Sequence, residues 1–156
     1  MTPAPGPFDT ARATAARALP LAVLLAVFIG GCAGGLARYA VVRAWPAAPR
    51  GFPLSTLVVN VSGAFLLGLL LVVAAELIAP STYVRPLLGT GFCGAWTTFS
   101  SVVASVDELV AHGRGATAAQ YLVASIAGGL LAAALGMALG RSASMLRHRT
   151  TQHGRI

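Results

Sequence analysis

The chain has no lysine and only four acidic residues among its 156. Charged side chains of every kind make up 10% of it, against about 25% in soluble domains. With 56% apolar residues there is too little polar surface to clothe a soluble fold. A soluble enzyme, a disordered chain and a disulfide scaffold are therefore excluded. Cys32 and Cys93 both fall inside apolar runs, where cysteine is a small packing residue rather than a disulfide partner or metal ligand. The net charge of +7 comes without a folded basic domain. That excludes nucleic acid as a partner and suits anionic lipid headgroups. There is no nucleophile–base pairing, no metal-ligand cluster and no phosphate-cradling loop, so the chain is not read as an enzyme.

What is present is spacing. Twenty uncharged residues separate Arg17 from Arg38, 25 separate Arg50 from Glu76, 21 separate Arg85 from Asp107 and 26 separate Arg114 from Arg141. A membrane-spanning helix needs roughly 20 mostly apolar residues. The expectation is an all-α membrane protein of four spans, at about 19–42, 54–78, 86–110 and 118–139. Pro46, Pro49, Pro53, Pro80, Pro86, Gly113 and Gly115 punctuate the joints. Residues 1–17 read as a disordered tail, 18–140 as the four-helix transmembrane domain and 141–156 as a basic tail. A lipoprotein-type signal peptide competes for the N-terminus, with Arg12 and Arg17, the apolar run 19–29, then Gly30-Gly31-Cys32. Against it, the apolar run continues through Ala33, Leu36 and Ala37 to spanning length.

Four spans place both termini on one side. That side carries Arg12, Arg17, Arg85, Arg141, Arg147, Arg149 and Arg155; the other carries Arg43, Arg50 and Arg114, with Arg38 if it reaches out. The bias favours cytoplasmic termini. Glycines at four-residue spacing, Gly30 with Gly34, Gly31 with Gly35 and Gly136 with Gly140, let helix backbones approach closely in lipid. So short a chain has little interior of its own, and oligomerisation is expected.

Polar groups within hydrocarbon need partners or a purpose. Asn60 and Ser62 lie in the second span. Asn60 reads either as an interhelical hydrogen-bond pin or as a pore-facing amide. The third span is unusual: within 89–101 it holds Gly89, Gly91 and Gly94 and the hydroxyls of Thr90, Thr97, Thr98, Ser100 and Ser101. This composition suits a broken helix whose freed carbonyls can bind a cation and whose donors can bind an anion. The alternative is a helix packed through small residues, with hydroxyls bonded back to their own backbone. Phe99 stands beside these hydroxyls and can offer a positive ring edge. Tyr121 and Ser125 share one face of the fourth span. Arg38, ending the first span, reads either as a snorkelling side chain or as an anion attractor. No Asp, Glu, His or Lys lies in the interior of a span, which removes the usual machinery of a proton-coupled transporter, the small multidrug class included.

These residues together resemble the small bacterial CrcB, or Fluc, fluoride-channel family. The matching strings are Gly34-Gly35-Leu36-Ala37-Arg38-Tyr39, residues 55–65 around Asn60, and residues 91–100, GFCGAWTTFS. The resemblance implies a fluoride-specific channel, multi-pass in the bacterial inner membrane, that exports cytoplasmic fluoride passively and confers fluoride resistance. It implies an antiparallel, dual-topology dimer with fluoride pores at the interface. It assigns pore roles to Asn60, Phe99, Thr98, Ser100, Tyr121 and Ser125 and a vestibule role to Arg38. It also implies a structural sodium ion (Na+) held by the Gly94 and Thr97 carbonyls. Three positions depart from the family pattern: Val102 stands for a second Phe, Ser105 for a Glu and Gly129 for a further hydroxyl. They raise the alternative of an obligate heterodimer with a homologous subunit, or of a non-conducting subunit.

Overall fold

The computed structural model describes residues 20–48, 51–76 and 82–153, with side chains for all of these except 75, 76 and 146–153. The expectation for residues 1–17 lies outside the described residues. Among those described there are helices and no strands. The order is α1 (Leu21–Ala44), α2 (Leu54–Glu76), a π-helical segment π1 (Arg85–Cys93), a single turn α3 (Gly94–Trp96), α4 (Phe99–Ala111) and α5 (Gly115–His153). Four stretches are long and apolar enough to cross a membrane, namely Leu21–Ala44, Leu54–Ala74, Arg85–Ala111 and Gly115–Met145. The protein is a four-span, multi-pass membrane protein.

The last helix does not stop where its apolar stretch does. Its 39 residues make a rod of about 58 Å, nearly twice a bilayer's hydrocarbon core. The sequence places a basic tail from Arg141, and the backbone there stays helical through His153. Between α4 and α5 the chain reverses at Gly113, whose φ of +74° is a left-handed conformation that glycine adopts without strain. The amides of Gly113 and Arg114 return to the Val110 and Leu109 carbonyls at 2.9 and 2.8 Å, closing the end of α4.

The helices pack as two pairs, α2 with α5 and α1 with π1, and the pairs touch each other far less. Glycines make both pairings possible. A Cβ on Gly68 would strike the Ala133 carbonyl, and one on Gly136 the backbone of Phe65 and Leu69. In the other pair, a Cβ on Gly30 or Gly34 would strike the backbone of Leu87 or Phe92. Gly31 and Gly35 meet nothing within 4 Å. The two glycine faces of α1 are thus unequal: one is spent inside the protomer, the other lies open. Only a minority of each span is buried within the protomer, so most of the apolar surface is left to face lipid or another subunit.

Candidate functional site

The third span is interrupted at Thr97 and Thr98. Both have extended backbone, at φ −80°, ψ 156° and φ −153°, ψ 115°. A break inside hydrocarbon frees amides and carbonyls that water cannot reach, and here those of Thr97 and Thr98 have partners. Thr97 returns to its own segment, its amide and its hydroxyl both donating to the Cys93 carbonyl at 3.0 Å. Thr98 is gripped from α2: its amide donates to Asn60 Oδ1 at 2.7 Å, and Asn60 Nδ2 donates to its carbonyl at 3.0 Å. From α1, Arg38 Nη1 donates to the Thr97 carbonyl at 3.3 Å. The Thr98 hydroxyl caps α4 by accepting from the Ser101 amide at 3.2 Å. It also lies 3.1 Å from the hydroxyls of Ser100 and Ser101.

Asn60 therefore acts as a pin, with one amide hydrogen unspent on the break. Because the Thr98 amide turns to Asn60, the Gly94 carbonyl loses the donor that an unbroken helix would supply. Trp96 fastens the same turn, its Nε1 donating to Ser62 Oγ at 3.0 Å while its ring stacks on Phe92 at 5.9 Å. Gly63 leaves room for this, since a Cβ there would meet the Trp96 and Thr97 side chains.

Between the helix pairs lies a cavity of about 410 Å³. Asn60, Gly94, Thr97, Thr98, Phe99, Val102 and Ser125 all border it. Phe99 is 72% exposed and Val102 is 3% exposed, so α4 turns one residue inward and holds the other out. Ser100 is exposed. Tyr121 is fully buried, its ring edge-on to Phe52 with centroids 5.4 Å apart. Its hydroxyl lies near those of Ser125, Ser105 and Thr56. Neither Tyr121 Oη nor Ser125 Oγ has a hydrogen-bond partner among the described residues. A buried polar atom without a partner needs an explanation, and two on one helix face beside a cavity point to a ligand.

Two further cavities continue the line. One of about 200 Å³, toward the α4–α5 turn, is bordered by Thr56, Ser105 and Glu108. One of about 500 Å³, toward the other membrane face, shares Leu67 and Gly89 with the central cavity and ends at Arg85. The structure thus gathers Asn60, Thr97, Thr98, Phe99, Gly94 and Ser125 around one space. Tyr121 stands a step away and Arg38 reaches the break from α1. Arg85 and Glu108 border the outer cavities. In the sequence both read only as charges at span ends, and no spacing marks them.

A small anion suits such a path. Hydroxyls, an amide and the edge of an aromatic ring can replace its water, and among the described side chains none that borders the central or the Arg85 cavity is acidic. The family model described as CrcB-like protein, Camphor Resistance (CrcB), matches residues 25–137. The chain is 50% identical over 135 residues to the fluoride-specific ion channel FluC 3 of Streptomyces avermitilis, covering 85% of this chain and 66% of that relative. It is 43% identical over 124 residues to FluC 1 of Mycolicibacterium paratuberculosis, covering 80% and 94%. With FluC of Prosthecochloris aestuarii the identity is 42% over 120 residues, covering 77% and 93%.

Proposed function

The chain belongs to the CrcB-like family, and from that premise we propose that it is a fluoride-specific channel, not an enzyme, giving passive export of cytoplasmic fluoride. Hydrogen fluoride crosses a bilayer as the neutral acid and ionises inside, and the channel lets the trapped anion leave. The observation that carries this reading is the pair of unpartnered hydroxyls, Tyr121 and Ser125. Fluoride is small and tightly hydrated, so its path must offer close donors in place of water. Tyr121, Ser125, the spare Asn60 hydrogen and the Thr98–Ser100 hydroxyls supply them. Phe99 offers its ring edge, and Arg38 adds charge at the break.

The working unit in this proposal is a dimer of oppositely oriented subunits. Phe99, bordering the cavity yet mostly exposed, is then covered by the second protomer. Gly94 and Thr97 are the residues whose carbonyls would hold a structural sodium ion there. The fit rests on the Gly94 carbonyl having lost its helical donor and on the Thr97 carbonyl accepting only a long N–H from Arg38. Such an ion supplies fixed positive charge to spans that contain no lysine.

One observation favours a heterodimeric version. Val102 lines the central cavity where the family resemblance expects Phe, which leaves space for a bulkier residue from an unlike partner. Reconstitution of the purified chain into liposomes, with fluoride and chloride electrodes, tests both readings. Fluoride efflux without chloride efflux from the chain alone establishes the homodimer. Efflux only after adding a homologous subunit establishes the heterodimer. A folded chain silent in both conditions overturns the channel reading.

A further inference from the structure

We infer that Arg85 forms an anion-gathering site at the mouth opposite Tyr121, with a small hard anion, fluoride, as its ligand. The choice of ligand rests on the channel reading above. The site is the cavity of about 500 Å³ that opens off the central one. Its walls are Leu67, Leu70, Leu71 and Ala74 of α2 and Gly89 of π1, with Arg85 and Thr90 as its polar side chains. Arg85 is exposed, yet it is held. Its Nη2 donates to the Ala74 carbonyl at 3.0 Å, in the last turn of α2, where carbonyls lack helical donors. A guanidinium carries five N–H donors, so this strap fixes the charge at the mouth without exhausting its donors.

Apolar walls of low dielectric focus the field of such a charge along the cavity. The anion's route to the central hydroxyls lies the same way, because Leu67 and Gly89 border both spaces. By Coulomb's law in water, a unit charge several ångströms away raises the local concentration of an opposite ion by about threefold in dilute buffer. The gain disappears once the Debye length falls to about 4 Å, near 0.5 M salt.

The test uses the full chain in detergent with sodium fluoride as the probe, followed by the ¹⁹F linewidth. At about 10 mM ionic strength, Arg85→Gln lowers the excess broadening about threefold, and Arg85→Lys keeps it. At about 0.5 M sodium gluconate wild type and variants converge. Arg85→Met, also uncharged, gives a second reading should the Gln variant fail to fold. Broadening unchanged in the uncharged variants overturns the site. So does an equal loss in the Lys variant, which reduces Arg85 to a helix-end strap. Single-channel fluoride currents on the same proteins separate the two claims. Charge-dependent broadening from a chain that passes no current keeps the Arg85 site and removes the channel. Current with charge-independent broadening does the reverse.

Discussion

The α2–α5 pair and the third span cross the same membrane by opposite means. The pair consists of unbroken helices whose backbones meet at Gly68 and Gly136, with Gly140 making room for Val72. The third span is the least apolar of the four. It is wound as a π-helix, stops at Thr97 and Thr98, and resumes. Its freed backbone groups are held by Asn60, Arg38 and a threonine's own hydroxyl. Close packing thus suffices where the backbone satisfies itself. A break requires dedicated polar side chains, and those chains bring donors to a depth where an anion can use them.

Removing the clamp is the most damaging way to break this comparison. Asn60→Leu leaves the Thr98 amide and carbonyl both orphaned, at about 1–3 kcal/mol each. The melting temperature in detergent should fall further than for any single truncation of an apolar residue on the α2–α5 face, and fluoride flux should vanish with it. A smaller loss, about 1–3 kcal/mol from overpacking, is expected for Gly30→Ala. Gly31→Ala should not lower the protomer's stability and should add up to about 1 kcal/mol of helix propensity, because nothing lies within 4 Å of it. Urea or thermal unfolding of the two variants side by side checks whether the glycine faces of α1 are as unequal as their surroundings. Should Gly31→Ala instead lower the dimer fraction on a sizing column, the open face is where the second subunit sits. The smallest stability effect belongs to Tyr121→Phe. It deletes a buried hydroxyl that has no partner, so the melting temperature should hold or rise slightly. Flux should still drop about tenfold, since a hydrogen bond to an anion contributes about 1.5–3 kcal/mol.

Charge-free intervals of 20 to 26 residues made the four spans legible, because hydrocarbon thickness dictates that length. The glycine- and hydroxyl-rich composition of residues 89–101 marked the third span as the one to break. Composition alone did not locate it, since Ser and Thr can equally bond back to their own helix; the family resemblance placed it at Gly94 and Thr97, next to the extended Thr97 and Thr98. The Asn60 pin decides the matter from another span, 38 positions away in sequence. The length of α5 was missed for a different reason: residues beyond Leu139 include good helix formers that continue the helix whether or not lipid surrounds them. Nor could spacing alone tell Gly30 and Gly34 from Gly31 and Gly35, because both pairs have the same period and only the position of π1 distinguishes them. Among the candidate site residues, Asn60, Thr98, Phe99 and Ser125 were legible as polar or aromatic intruders in apolar spans. Arg85 was not, because an arginine at a span end looks the same whether it faces headgroups or a cavity.

The central claim is that the unpartnered hydroxyls of α5 contact the conducted ion. The most direct measurement compares initial fluoride efflux from liposomes holding equal amounts of wild-type chain and of the Tyr121→Phe, Ser125→Ala double variant, reconstituted with whatever partner wild type requires. Efflux reduced tenfold or more, at an unchanged melting temperature, is the result expected. Equal efflux from the two proteins would contradict the account.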